Sequence, residues 1–593
     1  MNSKVLILLF IVLLHITTFG KPNPIIYKTR LSFPYEQMGL TKRQAAVHLL
    51  NRFTFGIKPG DVDMVLDMGL EYWFEKQLSS AQPESELAAN LASYDALKMN
   101  EETIINSFLP QFEIRRLLKS EGVFMADSNF DKKEYKAFID SFLKEKNIRL
   151  PAEYQRQLIN QKILRAIYSN NQLTEVLTDF WFNHFNVSLS KNQCAMHILS
   201  FERDVIRPNV LGKFENLLVA TAKSPAMLEY LDNNYSISFN NEISKNELNN
   251  RIKRVAAKAQ APFQDSGVIN LIKQRKSQGL NENYARELLE LHTLGVEGGY
   301  KQKDVTEVAK IFSGWSVVPL LKNNDGRNNF EKSKYYNIEK LGFVVDGSFL
   351  FRANRHDDSA KTVLNYHFSP NGGYEEGLKL LENLANNPAT AHFICKKLAV
   401  RFVSDNPPEN LIKKMANTFL KSKGNVKEVL TVMVNSIYFW DENSVRKKIK
   451  TPFELTISAI RATNATVKQP YQIFNWCNTL GQKFYYYQAP TGFPDRADYW
   501  VNTGSLLNRM NFGMAFSANK IPGVKMDSTI INNNYEPESL DAAIIGISNS
   551  ILPESSTPKN INRVLKLVSG KELNDKLTQI VGLLIGSPEF QKR

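Results

Sequence analysis

The chain has 593 residues, 43% hydrophobic and 23% charged, a balance that excludes wholesale disorder and leaves ample apolar surface for a large core. Lys and Arg number 74 against 60 Asp and Glu, for a formal charge of +14, which favours contact with anionic polymers but does not speak to the fold. Three cysteines, Cys194, Cys395 and Cys477, exclude a disulfide framework, and none of them has the C-x-x-C spacing of a zinc ribbon.

Residues 1–20 read as a secretory signal peptide. Lys4 gives the positive start, Val5 to Leu14 is an unbroken apolar run, and Thr18 and Gly20 are small enough for cleavage near Gly20. The run is too short for a spanning helix, and a membrane anchor is the alternative. Export to the periplasm or beyond is therefore expected. No later stretch is long and apolar enough to cross a bilayer, so the mature chain is expected to lack a transmembrane segment.

Residues 21–40 read as an N-terminal extension and 41–593 as a single large α-helical domain. Thr41 and Gln44 have capping-box spacing, and Ala45, Leu49 and Phe53 follow at helical period. Asp61 and Asp63 sit near the start of a second short helix that Gly69 stops. Residues 173–185 read as a helix, as do 374–385, with Gly377 an awkward member of the latter. Asn387-Pro388, Pro407-Pro408, Thr451-Pro452, Ser539 and Thr557-Pro558 each open a later helix. Strand evidence is confined to residues 343–351, two apolar runs around Asp346-Gly347, a hairpin signal. The fold class is thus mostly α, a large multi-helix domain with one small β-hairpin insertion. Surface insertions are expected at about 233–279, which is basic, and 322–351.

Chemistry concentrates in four segments. Residues 281–295 place Glu282, Arg286 and Glu290 on one helix face, with Asn283 and Glu287 beside them. Such a group can bind a cation, orient a sugar or hold an acid/base pair, or serve as an Arg286 clamp between helices. In the second, Asn183 and His184 lie on an aromatic helix, where the imidazole is a base, a ligand or a hydrogen-bonded core residue. In the third, His356 and Asp357 follow the hairpin on a loop. The fourth, residues 485–500, is an aromatic loop with Tyr487, Gly492 and Asp495, suited to stacking on rings or to packing. The candidate catalytic residues are His184, Glu287, Glu290, His356 and Asp357. The candidate substrate-binding residues are Asn183, Asn283, Arg286, Trp315, Tyr487 and Asp495. No metal site is expected, since Cys194 and His197 have no second ligand pair near them. The cofactor is unknown from the sequence; zincin, nucleophile-elbow, phosphate-loop and dinucleotide motifs are absent. Nucleic acid is disfavoured by export.

Several of these segments together resemble one bacterial family. Residues 48–56, with His48, Asn51, Arg52 and Gly56, resemble the N-terminal motif of the family called domain of unknown function 1800, DUF1800. Residues 180–185 resemble its second motif, and 281–295 with Ser313-Gly314-Trp315 its central signature. Arg355-His356-Asp357, Arg401-Phe402-Val403, Thr451-Pro452-Phe453-Glu454, Gly492-Phe493-Pro494-Asp495 and Ser587-Pro588-Glu589-Phe590 follow in the family's order. The resemblance implies an exported, mostly helical bacterial protein with no established reaction, and a partner that looks like an exported sulfatase or phosphatase encoded nearby. Lys301 stands where the family pattern has a Thr or Ser helix cap.

Three functions follow from these residues. One is an exported hydrolase or lyase that acts on an envelope or environmental polymer, anionic or glycan, through carboxylates and His. The second is a non-catalytic envelope binding or scaffold protein that uses the same residues as buried struts. A metal- or cofactor-bearing redox protein ranks last. Reaction type, substrate and oligomeric state are not written in the sequence.

Overall fold

A computed structural model describes residues 31–121, 132–238, 279–320, 342–526, 539–553, 566–568 and 573–593. The expected signal peptide, most of both expected insertions and the expected Thr557-Pro558 helix start lie outside the described residues. The fold is mostly α, and several of its helices begin where side chains satisfy the first backbone N–H groups. The Thr41 hydroxyl accepts from the Gln44 N–H at 3.2 Å while Gln44 accepts from the Thr41 N–H at 3.0 Å. Helix Lys42–Phe53 then buries Ala45, Leu49 and Phe53. Thr451 and Glu454 repeat the reciprocal arrangement before Pro452–Ala462, and Asn387 caps Pro388–Phe402. At Gln302–Ile311 the hydroxyl half of the box is missing, as Lys301 implies. Asp304 supplies the other half by accepting from the Lys301 N–H at 2.8 Å.

Residues from Leu31 to Phe590 share one hydrophobic core, with small satellite clusters around Leu118 and Leu350. No helix among the described residues is long and apolar enough to cross a membrane.

The expected hairpin forms from Val344–Asp346 and Phe349–Phe351, with Gly347 at positive φ in its turn. Trp315–Val317 pairs on the other side of Phe349–Phe351 to make three antiparallel strands. Two further ladders were not expected, Lys361–Val363 with Tyr366–Phe368 and Thr466–Val467 with Val524–Lys525. Strands of two or three residues are too short for a period-2 pattern to register. The first of these ladders turns through Leu364 at φ 47°, a position without the glycine that marks such turns.

Gly377, awkward in the helical pattern, has a packing reason. A Cβ there would lie 2.4 Å from the indole of Trp315, so only glycine lets helix Gly373–Ala385 rest on that ring. Trp315 is fully buried against Phe312, Phe349 and Tyr374. The expectation that it binds substrate is corrected: it is a core residue.

Candidate functional site

Four segments enclose a cleft of about 690 Å³. Helix Gln172–His184 supplies Asp179, Phe180, Asn183 and His184 to one wall. Helix Pro388–Phe402 faces it with Phe393, Lys396, Lys397 and Arg401. The loop at 294–298 and the aromatic loop at 482–500 complete the walls, and Lys162 reaches in from helix Pro151–Tyr168.

The aromatic loop is held by amides. Asn183 donates to the Phe493 carbonyl and accepts from the Phe493 N–H, both at 2.8 Å. Asn186 donates to the carbonyls of Tyr487 and Ala489 at 3.1 and 2.8 Å. Gly492 sits at φ 68°, and a Cβ on it would come within 2.2 Å of the Asn183 carbonyl oxygen. That close approach explains the glycine that opens the Gly-Phe-Pro-Asp run. The half-buried ring of Phe493 lines the cleft and packs against Tyr487, tilted by 45° with centroids 4.3 Å apart. Opposite, Gly295 at φ 82° ends the segment begun by Asn281, and a Cβ there would meet the Phe393 ring at 2.8 Å.

Beneath the aromatic walls lies a buried ionic network. Glu454 meets Arg401 at 2.8 Å and Arg593 at 3.1 Å. Asp495 meets Lys448 at 3.0 Å and Arg401 at 3.6 Å. Burial alone would raise the Asp495 carboxyl, but Lys448, Arg401 and Arg593 outweigh it and bring it down to about 2. Asp179 pairs with Lys162 at 2.8 Å. Held that low, the Asp495 carboxyl is ionised near neutral pH.

The candidate catalytic residues do not all gather at one place. His184 borders the cleft but is 1% exposed, and its Nε2 lies 3.2 Å from the His292 carbonyl. Burial first, then Lys397 and His292, push it well below the ordinary histidine range, so it is neutral. His356 and Asp357 are fully buried elsewhere. His356 Nε2 and Lys361 Nζ each stand 2.7 Å from one oxygen of Glu376, and Asp357 accepts from Ser238 at 2.7 Å. This is a closed strut between helix Gly373–Ala385 and the hairpin loop. Its residues resembled a site because a buried charge cluster and an active site draw on the same side chains.

Glu287, Glu290, Asn283 and Arg286 are not among the cleft's lining residues. Helix Glu282–Glu287 runs into a π-helical turn, Leu288–Thr293. Arg286 donates to Gln302 at 2.7 Å, and Glu282 accepts from Gln302 and Thr306 at 2.7 and 2.8 Å. Glu290 accepts from the Tyr300 hydroxyl at 2.9 Å. Burial and then Glu290 raise the Glu287 carboxyl. The Asn283 amide reaches only toward the Leu231 carbonyl, at 3.5 Å. The segment mostly clamps its helix to Gln302–Ile311. Of the candidates, Asn183, His184 and Asp495 come together at the cleft, and Tyr487 backs its wall.

A family model described as "Protein of unknown function (DUF1800)" matches residues 48–592. The chain belongs to the DUF1800 family. No curated protein and no solved structure matches it. The segments that carried the resemblance to DUF1800 proteins fall at different places in this fold. Those around Asn183, Arg401, Glu454 and Asp495 build the cleft and its floor, and those around Trp315 and His356 build the strut below the hairpin.

Among the described residues no group of three His, Cys, Asp or Glu side chains is arranged to hold a metal ion. Reading the sequence missed Lys162, Asp179 and Lys397. Lys397 stands in the run Lys397-Leu398-Ala399, which resembles the family, but it was not a site candidate, because a lysine beside another lysine on a helix reads as solvated surface.

Proposed function

We propose that this DUF1800 protein is exported after cleavage near Gly20 and binds a ring-bearing polymer, a glycan of the cell envelope or the environment, in the cleft between helices Gln172–His184 and Pro388–Phe402. Binding, not bond cleavage, is its function in this reading, and the polymer is held for an exported partner of the sulfatase or phosphatase kind. The observation that carries the reading is the cleft wall. Half-buried aromatic rings from two sides, Phe393 and Phe493, line one hollow with charged and amide groups between them. Rings offer flat apolar faces to sugars, and polar groups between them fix orientation. His356, Glu287 and Glu290 are not among the residues that line this cleft, which favours binding over acid/base chemistry there.

The mature chain, residues 21–593, is titrated calorimetrically against a panel of neutral and acidic oligosaccharides. Wild type binds at least one class, and Phe493→Ala weakens it about tenfold, equivalent to ~1.4 kcal/mol. Unchanged affinity in Phe493→Ala and Phe393→Ala, or no binding anywhere in the panel, defeats the reading. Shortened products after incubation with wild type would restore the enzyme reading.

A further inference from the structure

The charges around the cleft do not all have partners. Asp179 is paired with Lys162, and Asp495 with Lys448 and Arg401. Arg401 is further bound to Glu454, and Arg496 to Asp498 at 3.0 Å. Lys396 is exposed and free to be hydrated. Lys397 is different. It is only partly accessible, faces the cleft, and makes no ion pair or hydrogen bond among the described residues. Its Nζ stands 5.5 Å from the centre of the Phe393 ring.

The groups facing it do not neutralise it. His184 is held below the ordinary range by burial, Lys397 and His292. Burial and then Lys397 bring His292 down to about 3. Both rings are therefore uncharged near neutral pH. His184 Nδ1 and His292 Nε2 are buried without partners among the described residues. Among the described residues Asp495 is the one carboxylate that favours the Lys397 charge, and it is already committed to two other cations. Burial brings the Lys397 ammonium down to about 8, with only partial compensation from Asp495. A half-buried ammonium without a counter-ion, opening onto a cleft, is in the state an anion would complete.

We propose that Lys397 is an oxyanion subsite: it receives an anionic substituent, sulfate, carboxylate or phosphate, carried by the ring polymer bound in the cleft. This inference rests on the polymer reading and narrows its ligand to an acidic glycan. The ring stacks on the aromatic wall, and the substituent supplies the charge that the protein leaves out. Binding the anion favours the protonated lysine. Affinity for an acidic ligand therefore stays level below pH 8 and falls above it, by up to tenfold per pH unit. Neutral ligands show no such fall.

The test uses matched pairs: sulfated chondroitin oligosaccharides against their desulfated forms, and polygalacturonate oligomers against their methyl esters. Titrations use wild type, Lys397→Met and Lys397→Arg, with melting curves for each to confirm folding. Wild type is expected to prefer the acidic member at least tenfold. Lys397→Met is expected to lose that preference and keep its affinity for the neutral member, and Lys397→Arg to keep the preference. Equal affinity of wild type for both members, or a preference that survives in Lys397→Met, overturns the subsite. If no ring ligand binds, the polymer reading falls, and inorganic sulfate and phosphate then decide the subsite alone. A melting temperature raised by either ion in wild type and not in Lys397→Met upholds the subsite; equal response in both proteins refutes it.

Discussion

Replacing Lys397 by Met should make the protein more stable. The two side chains are similar in length, and Met keeps the apolar contacts of the stem while removing the charge. The magnitude follows from the ammonium, which burial moves from its ordinary 10.5 to about 8. Each unit corresponds to about 1.36 kcal/mol, so the lysine carries a penalty on the order of 3 kcal/mol at neutral pH. Partial hydration from the open cleft lowers the expected gain to about 1–3 kcal/mol.

The sign with pH is equally definite. Between pH 8 and 10.5 the unfolded chain binds the proton more strongly than the folded one. Wild type therefore gains stability from this group as pH rises through that window, and the penalty is fully present below it. Urea unfolding of both proteins at pH 7 and again near pH 10 measures this. The gap between them should narrow at the higher pH. A less stable Lys397→Met, or a gap that does not change with pH, would show that Lys397 has a counter-charge and is a structural strut.

The strut below the hairpin should behave in the opposite way. Glu376→Gln leaves His356 and Lys361, each at most 1% exposed at the side chain, without their shared carboxylate, and should cost ~3–5 kcal/mol in urea unfolding while leaving oligosaccharide affinity intact in the folded protein. Gly492→Ala forces a Cβ to 2.2 Å from the Asn183 carbonyl oxygen at positive φ. It should weaken cleft binding more than tenfold, with a destabilisation of about 1–3 kcal/mol seen in melting curves. Glu290→Gln keeps a partner for the Tyr300 hydroxyl at a residue that does not line the cleft, so stability should move by no more than about 0.5 kcal/mol and affinity not at all. Acid should loosen the floor of the cleft. Asp495 is held near 2 against an ordinary 3.8, so its stabilising contribution is complete above pH 3.8 and is lost as pH falls toward 2, to be followed by near-ultraviolet circular dichroism.

The helices were legible because their signals are local. Thr41 with Gln44, Asn387-Pro388 and Thr451-Pro452 with Glu454 each carry a cap within four residues, and each starts a helix in the structure. The short ladder at Lys361–Val363 was not legible, since three residues are too few to show alternation and Leu364 gives no turn signal. The site was legible only in part. Asn183, Asp495 and the aromatic loop stood out by residue type, and the structure brings them to one cleft. Glu290, His356 and Trp315 stood out on the same ground and belong elsewhere. Residue type identifies an unusual side chain; only the partner decides its role, and the partners of His356 and Lys361 lie across the chain at Glu376. Lys397 shows the converse. What marks it is a missing partner, and a sequence does not display absences.

The central claim is that the cleft, and not the carboxylate helix or the buried His356 cluster, receives the ligand. The most direct test is a crystal structure of residues 21–593 with a bound acidic oligosaccharide. The account predicts a sugar ring stacked on Phe493 and a sulfate or carboxylate oxygen within hydrogen-bond reach of Lys397 Nζ. An oligosaccharide seated instead beside Glu287, Glu290 and Tyr300, with the cleft holding only water, would contradict it.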